Sequence, residues 1–142
     1  MEWTRSNDDL FLVLEPGEEI HASIRALAEE LDLKAAAITS GIGRTRMNVH
    51  GFMDATHTYH RWTEEEPCEL VNLQGNLARH EDGSPFTHIH ATFTDNDNKV
   101  HAGHMFEATV EVVAEIHLRI MTKAIMTRCP IENSDFVALK FD

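Results

Sequence analysis

The chain has 142 residues, 42% of them hydrophobic and 25% charged, which is the size and composition of one globular domain with a buried core. Its 24 acidic residues outnumber its 12 basic ones, and the net charge of −12 repels nucleic-acid phosphates and disfavours direct DNA contact. No apolar run approaches the roughly 18–20 residues of a membrane span. The acidic N-terminus and the presence of only two cysteines, Cys68 and Cys129, favour a cytoplasmic protein with reduced thiols.

The first third of the chain predicts one helix among strands. The apolar run at 10–14 is a strand candidate that ends at a Pro-Gly turn. Apolar residues then recur at helical spacing and predict the one principal helix over residues 18–32. Residues 35–41 and 45–53 predict two further strands that are joined at a pair of glycines.

The remaining residues predict strands alone. Candidates lie at 56–62 and 68–78, and a hairpin follows in which the sequence DNDN (95–98) is the turn. Residues 110–120 alternate between apolar and polar side chains, the period of a strand with one buried face. The C-terminal segment is loop-like until a possible last strand at 136–141. The whole pattern predicts an α+β fold in a single domain, residues 1–142, with a mainly antiparallel β-sheet and one helix.

Histidines at both sides of the predicted hairpin are candidate metal ligands. His88 and His90 are two residues apart on one strand, so their side chains point to the same face. With a four-residue loop at 95–98, His90 would face Gly103, and a one-residue bulge at Gly103 would then bring His104 beside His90. His101 would need another register and is ranked below His104.

These three imidazoles suit one transition-metal ion. Three neutral nitrogens without sulfur favour Zn²⁺, with nickel, copper and iron as alternatives. Three protein ligands leave a coordination position for water or a substrate, as in catalytic zinc sites. The competing interpretation is a solvated pair of polar histidines on a sheet face, which is common in a chain with ten histidines.

Several other polar residues are weaker candidates for functional contacts. Glu69 and Glu107 are either general bases or surface acids. Cys68 lies among acidic residues that disfavour its thiolate, so it is expected in the core or an interface and not as a nucleophile. His50, His57 and His60 line either a pocket or a polar face, and Gln74 and Asn76 are candidate donors to a ligand.

Four segments resemble, in order and spacing, the PPC domain (plants and prokaryotes conserved domain) over residues 10–120: LEPGEEIHASIRALAEELDLKAAAITSGIG, ELVNLQGNLA, PFTHIHATFTDNDNKVHAGH and TVEVVAEI. The resemblance implies an α+β fold that assembles as a homotrimer. It also implies that bacterial and archaeal members hold a metal with the histidine triplet, which corresponds here to His88, His90 and His104. The motif G-x4-HIH-x4-D, from Gly83 to Asp95, is in addition similar to the first metal motif of cupins.

Three classes of function follow from these expectations. The first is a metal-binding protein that binds or senses a small molecule. The second is a DNA-binding or transcription-associated protein, since plant members carry the domain after an AT-hook. This chain lacks an AT-hook, because GRTR at 43–46 has neither the glycine between the arginines nor the proline. The third is a metal-dependent hydrolase or lyase.

Overall fold

The computed structural model describes residues 1–142 and contains one helix, α1 (Ile20–Glu30), and nine strands. The strands are β1 (Glu2–Ser6), β2 (Asp9–Leu14), β3 (Ala36–Met53), β4 (Tyr59–Glu64), β5 (Cys68–His80), β6 (Pro85–Thr94), β7 (Val100–Ile120), β8 (Met126–Pro130) and β9 (Val137–Phe141). The predicted α+β fold with one principal helix is therefore confirmed.

The strands form one mixed sheet that is almost entirely antiparallel. Its order is β1-β2-β7-β3-β5-β8-β9, and β5 with β8 is the one parallel pair. Strands β3, β5, β6 and β7 pair in a closed circuit, because β6 is hydrogen-bonded to both β5 and β7 and β3 is hydrogen-bonded to the same two strands. In this circuit the β6–β7 hairpin is hydrogen-bonded to β5 through β6 and to β3 through β7.

Helix α1 covers the inner face of the sheet. The Glu19 side chain begins the helix by accepting hydrogen bonds from the backbone N–H groups of His21 and Ala22, at 3.1 and 2.7 Å. This cap explains why the helix begins later than the predicted residue 18. Ile24 and Leu27 are fully buried in the core against the sheet. With eleven residues, α1 is too short to cross a membrane.

The predicted break at Gly41 and Gly43 is wrong, since β3 runs through both glycines as one strand. A Cβ atom at Gly41 would lie 2.6 Å from the Leu73 side chain, and one at Gly43 would overlap the backbone carbonyl of Val113. The glycines therefore permit close approach of neighbouring strands instead of making a turn.

The predicted buried face of 110–120 is wrong at one residue. Val112 is 56% exposed, although Val110 and Ala114 on either side of it are buried. The register explains this difference: Gly43 pairs with Ala114 but Thr45 pairs with Val110, so β7 has extra residues between these two pairs. The last strand candidate corresponds to β9, whereas β1 and β8 were not predicted.

Candidate metal centre

The β6–β7 hairpin places His90 directly opposite His104, with Thr94 opposite Val100. The loop therefore comprises residues 95–99, one residue longer than predicted, and the predicted bulge at Gly103 is wrong. The longer loop produces the same alignment of histidines that the bulge was expected to produce. Gly103 has a different role, because a Cβ atom there would lie 2.5 Å from the carbonyl oxygen of Gly51 on β3.

The structure brings His88, His90 and His104 together on the face of the hairpin that points away from the core. The ring centroids lie 5.1 Å apart for His88 and His90, 4.9 Å for His88 and His104, and 5.4 Å for His90 and His104. One ring nitrogen from each residue lies within 4.8 Å of the other two. The alternation along β6 explains the arrangement, because Ile89, the residue between the two histidines, is fully buried on the opposite face.

The surroundings hold two of these rings in the neutral form. Burial lowers the pKa of His88 to about 4, and the nearby Arg128 and His90 act in the same direction. Burial, followed by the charges of His88 and His90, lowers the pKa of His104 to about 3. Neutral imidazole is the form that binds a metal, so both residues are ready to coordinate near neutral pH.

A cavity of about 320 Å³ adjoins His88 and His104. Its wall is largely aromatic, and the Tyr59 hydroxyl lies 3.5 Å from Nδ1 of His104. The Arg61 guanidinium stacks over the Phe106 ring at 3.8 Å. The remaining lining residues are Phe86, Arg128, Asp135, Phe136 and Val137.

Arg128 is a buried cation without an anionic partner. Its side chain is 3% exposed, and no carboxylate lies within 4.0 Å of it. It donates to the Asn76 side-chain oxygen at 2.6 Å and the Val137 carbonyl at 2.9 Å, and it contacts Nδ1 of His88 at 3.3 Å. Its Nε–H has no hydrogen-bond partner. Burial lowers the pKa of Arg128, so keeping this charge buried costs free energy in the ligand-free protein.

The other predicted polar residues divide into two groups. Asn76 orients Arg128, as described, and Gln74 lies opposite His90 on β5, at a surface shared with His88 and His90. Glu69 instead forms an ion pair with Arg44 at 2.7 Å, and neither it nor the exposed Glu107 lines the cavity.

The remaining histidine and cysteine candidates lie outside this site. His57 is exposed in a turn, and His60 is paired with Asp54 at 2.6 Å. His50 is buried elsewhere, as described below. Cys68 is buried in the core with a pKa raised mainly by burial, in agreement with its predicted inertness, and both cysteines are free thiols.

The site contains residues that sequence reasoning missed, above all Arg128, Tyr59 and Phe136. They come from β8, β4 and the loop before β9, which are far from the hairpin in sequence. None of these residues stands in a motif, so no local signal marked them.

Comparison with known proteins identifies the family. A family model described as the Plants and Prokaryotes Conserved (PCC) domain matches residues 2–122. The chain belongs to this family. The PCC domain is the PPC domain of the sequence analysis, so that resemblance is confirmed. Among curated proteins, none matches this sequence significantly.

Solved structures share the fold of this PCC chain. A plant- and prokaryote-conserved (PPC) protein from Pyrococcus horikoshii is 23% identical with a TM-score of 0.80, over 96% of this chain and 92% of that one. A protein from Bacteroides thetaiotaomicron that is suggested to bind DNA is 20% identical with a TM-score of 0.88, over 99% and 96%. A metal-containing protein from Archaeoglobus fulgidus is 27% identical with a TM-score of 0.82, over 98% and 96%.

The low pKa values of His88 and His104 predict a pH-dependent stability for the chelator-treated protein. Unfolded histidines take up protons near pH 6.5, whereas folded His88 and His104 do so near 4 and 3. Between these values the unfolded state binds more protons, so the free energy of unfolding falls as the pH falls from about 6.5 to about 4. Urea unfolding measures the free energy of unfolding at pH 7 and pH 5. Its decrease between these pH values should be larger for the wild type than for the double variant His88→Gln/His104→Gln. Equal losses in the two proteins would contradict the assignment.

Proposed function

We propose that this PCC-domain protein binds a divalent transition-metal ion, with Zn²⁺ favoured, through His88, His90 and His104, and binds a small organic anion in the adjoining cavity. The observation that carries the proposal is that two of the three imidazoles and the unpaired Arg128 guanidinium line the same cavity. A binding or sensing role follows, because the β6–β7 hairpin holds the three histidines together and burial holds the anion partner Arg128 in place.

The donor set fits zinc. Tetrahedral zinc with Zn–N bonds of about 2.0–2.1 Å separates its ligand nitrogens by about 3.3 Å. The three nitrogens lie within 4.8 Å of one another, so small rotations of the side chains bring them to one ion. A bound ion would supply positive charge and an open coordination position beside the cavity. The Archaeoglobus protein, which is described as metal-containing, supports the presence of a metal in this fold.

The cavity fits a small molecule with a carboxylate or phosphate group and an apolar portion. Arg128 has an unused buried N–H, and buried charges are normally paired in proteins. Arg61 supplies a second positive charge, while the phenylalanine rings offer apolar surface. The single carboxylate in the wall, Asp135, accepts a hydrogen bond from the Tyr59 backbone N–H at 3.1 Å.

We favour binding over hydrolase or lyase activity and over direct DNA contact. Glu69 and Glu107, the predicted general bases, do not reach the cavity. The Bacteroides protein that is suggested to bind DNA shares the fold, but the charge of −12 on the present chain repels a phosphate backbone. A transcription-associated role would then operate through partners.

An apolar surface supports the homotrimer that the family resemblance implies. Ile42, Val71 and Val112 are 54%, 50% and 56% exposed and line one shallow groove on β3, β5 and β7. Adjoining exposed apolar side chains of this kind mark protein–protein contacts. We propose that this groove is the contact between the subunits of a cytoplasmic homotrimer. Assembly would then bury its apolar side chains.

Removal of one histidine tests the metal site. We expect His88→Ala and His90→Ala each to lower the zinc content of stripped and reloaded protein by one equivalent per chain, because two imidazoles do not retain the ion at micromolar concentrations. Mass spectrometric metal analysis measures the content. His60→Ala, which alters an exposed histidine, is the control and should retain the wild-type content. Wild-type metal content in His90→Ala would disprove this site.

Substitution of Arg128 tests the anion site. A panel of small carboxylates and phosphates is titrated calorimetrically into the zinc-loaded protein. We expect at least one to bind, and Arg128→Gln to weaken its binding at least about tenfold, because charge-assisted hydrogen bonds to a buried guanidinium are lost. Arg44→Gln, at an exposed ion pair, is the matched control. The anion proposal fails if no compound binds or if Arg128→Gln binds as tightly as the wild type.

A charge in the apolar groove tests the trimer. Val112→Glu should yield monomers in analytical ultracentrifugation, because a carboxylate buried at a subunit contact costs more than the apolar contact supplies. Val100→Glu, at a residue that is 67% exposed near the hairpin loop, should leave the assembly unchanged. A monomeric wild type, or a trimeric Val112→Glu variant, would refute the proposed contact.

A further inference from the structure

A second group of potential metal ligands lies on the opposite face of the β6–β7 hairpin. It comprises His50 on β3, Glu64 on β4 and His101 on β7. His101 pairs with Phe93, whose side chain is fully buried, so His101 points toward the core side while His104 points away from it. The group is therefore distinct from the three-histidine site.

Three acceptor atoms converge in this group. Nδ1 of His101 lies 3.2 Å and Nε2 of His50 lies 3.8 Å from the same Glu64 carboxylate oxygen, Oε1. All three atoms lie within 4.8 Å of one another. Ligand atoms around a tetrahedral zinc ion are about 3.3 Å apart, so the spacing needs only small adjustments.

His50 carries a ring nitrogen that nothing in the protein satisfies. The residue is 7% exposed, and its buried Nε2 has no hydrogen-bond partner. Buried polar atoms in proteins are nearly always paired, so an unpaired nitrogen that faces a carboxylate and a second imidazole indicates a missing ligand. Burial also lowers the pKa of His50, which disfavours a charged imidazolium paired with Glu64 and favours the neutral form that binds a metal.

Asp95 fixes the orientation of His101. Its Oδ2 lies 2.9 Å from Nε2 of His101, so this nitrogen carries the proton and donates to the carboxylate. Nδ1 of the same ring faces Glu64 at 3.2 Å, so a neutral ring leaves two acceptors in contact, which a cation between them would bridge. A carboxylate on the far nitrogen of a histidine is the usual support of a metal-bound imidazole.

We propose that His50, Glu64 and His101 form a second divalent-metal site that takes Zn²⁺, with Asp95 as its positioning residue. Two imidazole nitrogens and one carboxylate oxygen are a ligand set that proteins use for zinc. The ligands come from three strands, so the ion links β4, which pairs only with β3, to β7. Glu64 and His101 are partly exposed, which provides the entry path.

The site is tested in a chain that lacks the first site. The double variant His88→Ala/His90→Ala is stripped with chelator and titrated with Zn²⁺ by calorimetry and with Co²⁺ by visible absorption. We expect one equivalent to bind, and Glu64→Gln in this background to abolish the binding. Glu65→Gln, at the adjacent exposed residue, is the control and should bind one equivalent. Failure of the three-histidine site leaves this test unaffected, because two of its three ligands are already removed.

The positioning role of Asp95 has its own readout. Asp95→Asn keeps the Oδ1 acceptor of the loop but replaces the oxygen that faces His101. We expect it to lower zinc affinity by about 10- to 100-fold without changing the stoichiometry. Nitrogen chemical shifts of His101 should report the Nε2–H tautomer in the zinc-loaded protein.

Three results would overturn the second site. They are absence of Zn²⁺ binding in the folded double variant, binding that survives Glu64→Gln, and a His101 ring that stays doubly protonated in the presence of Zn²⁺. If the double variant does not fold, the wild type and the single variant Glu64→Gln replace it. The expected stoichiometries are then two and one, and equal stoichiometries would refute the site.

Discussion

The antiparallel register between β6 and β7 is the constraint on which both histidine groups depend. His90 lies opposite His104 and Phe93 opposite His101, so alternate residues of the hairpin go to opposite faces. A slip of one residue would send His104 into the core and His101 out of it. The five-residue loop sets the register, and Asp95 holds the loop by accepting hydrogen bonds from the backbone N–H groups of Asp97 and Lys99, both at 2.9 Å. The same carboxylate orients His101 through its other oxygen, so one side chain connects loop geometry to ligand placement.

The charges around the three-histidine site and its cavity contrast with the net charge of the whole molecule. The chain carries a net charge of −12, yet its cavity collects Arg61, Arg128 and two neutral histidines against one aspartate. Local burial decides this chemistry, because it strengthens the field of an unpaired guanidinium that would be screened at the surface. The overall acidity disfavours an extended phosphate backbone, whereas the cavity would suit the single small anion that we propose. Binding of such an anion would also relieve the cost of burying Arg128.

The group of His50, Glu64 and His101 has a different character, because its members come from three strands and face no large cavity. Its ligand atoms include Nε2 of His50, which has no hydrogen-bond partner. In the sheet, β4 is linked to β7 only through its pairing with β3. The two groups therefore divide the chemistry of one hairpin between its faces. The outward face, with its cavity and the open coordination position that the proposed ion would have, would suit exchange of ligands. The inward face, next to the buried Phe93 ring, suits a metal that stabilises the fold.

The sequence by itself determined the elements whose signal is local. The helical spacing of apolar residues gave the one helix, and the two-residue spacing of His88 and His90 put both side chains on one face. Only the tertiary structure decided the exposure of Val112 and the continuity of β3, because these depend on contacts of β3 with strands distant in sequence. It also decided the length of the hairpin loop, which follows from the register of β6 with β7. The same is true of Arg128, which reaches Asn76 and His88 because β8 pairs in parallel with β5. Contacts between residues about forty or more positions apart leave no periodic trace in a single sequence, so partners of this kind become visible only when the chain is folded.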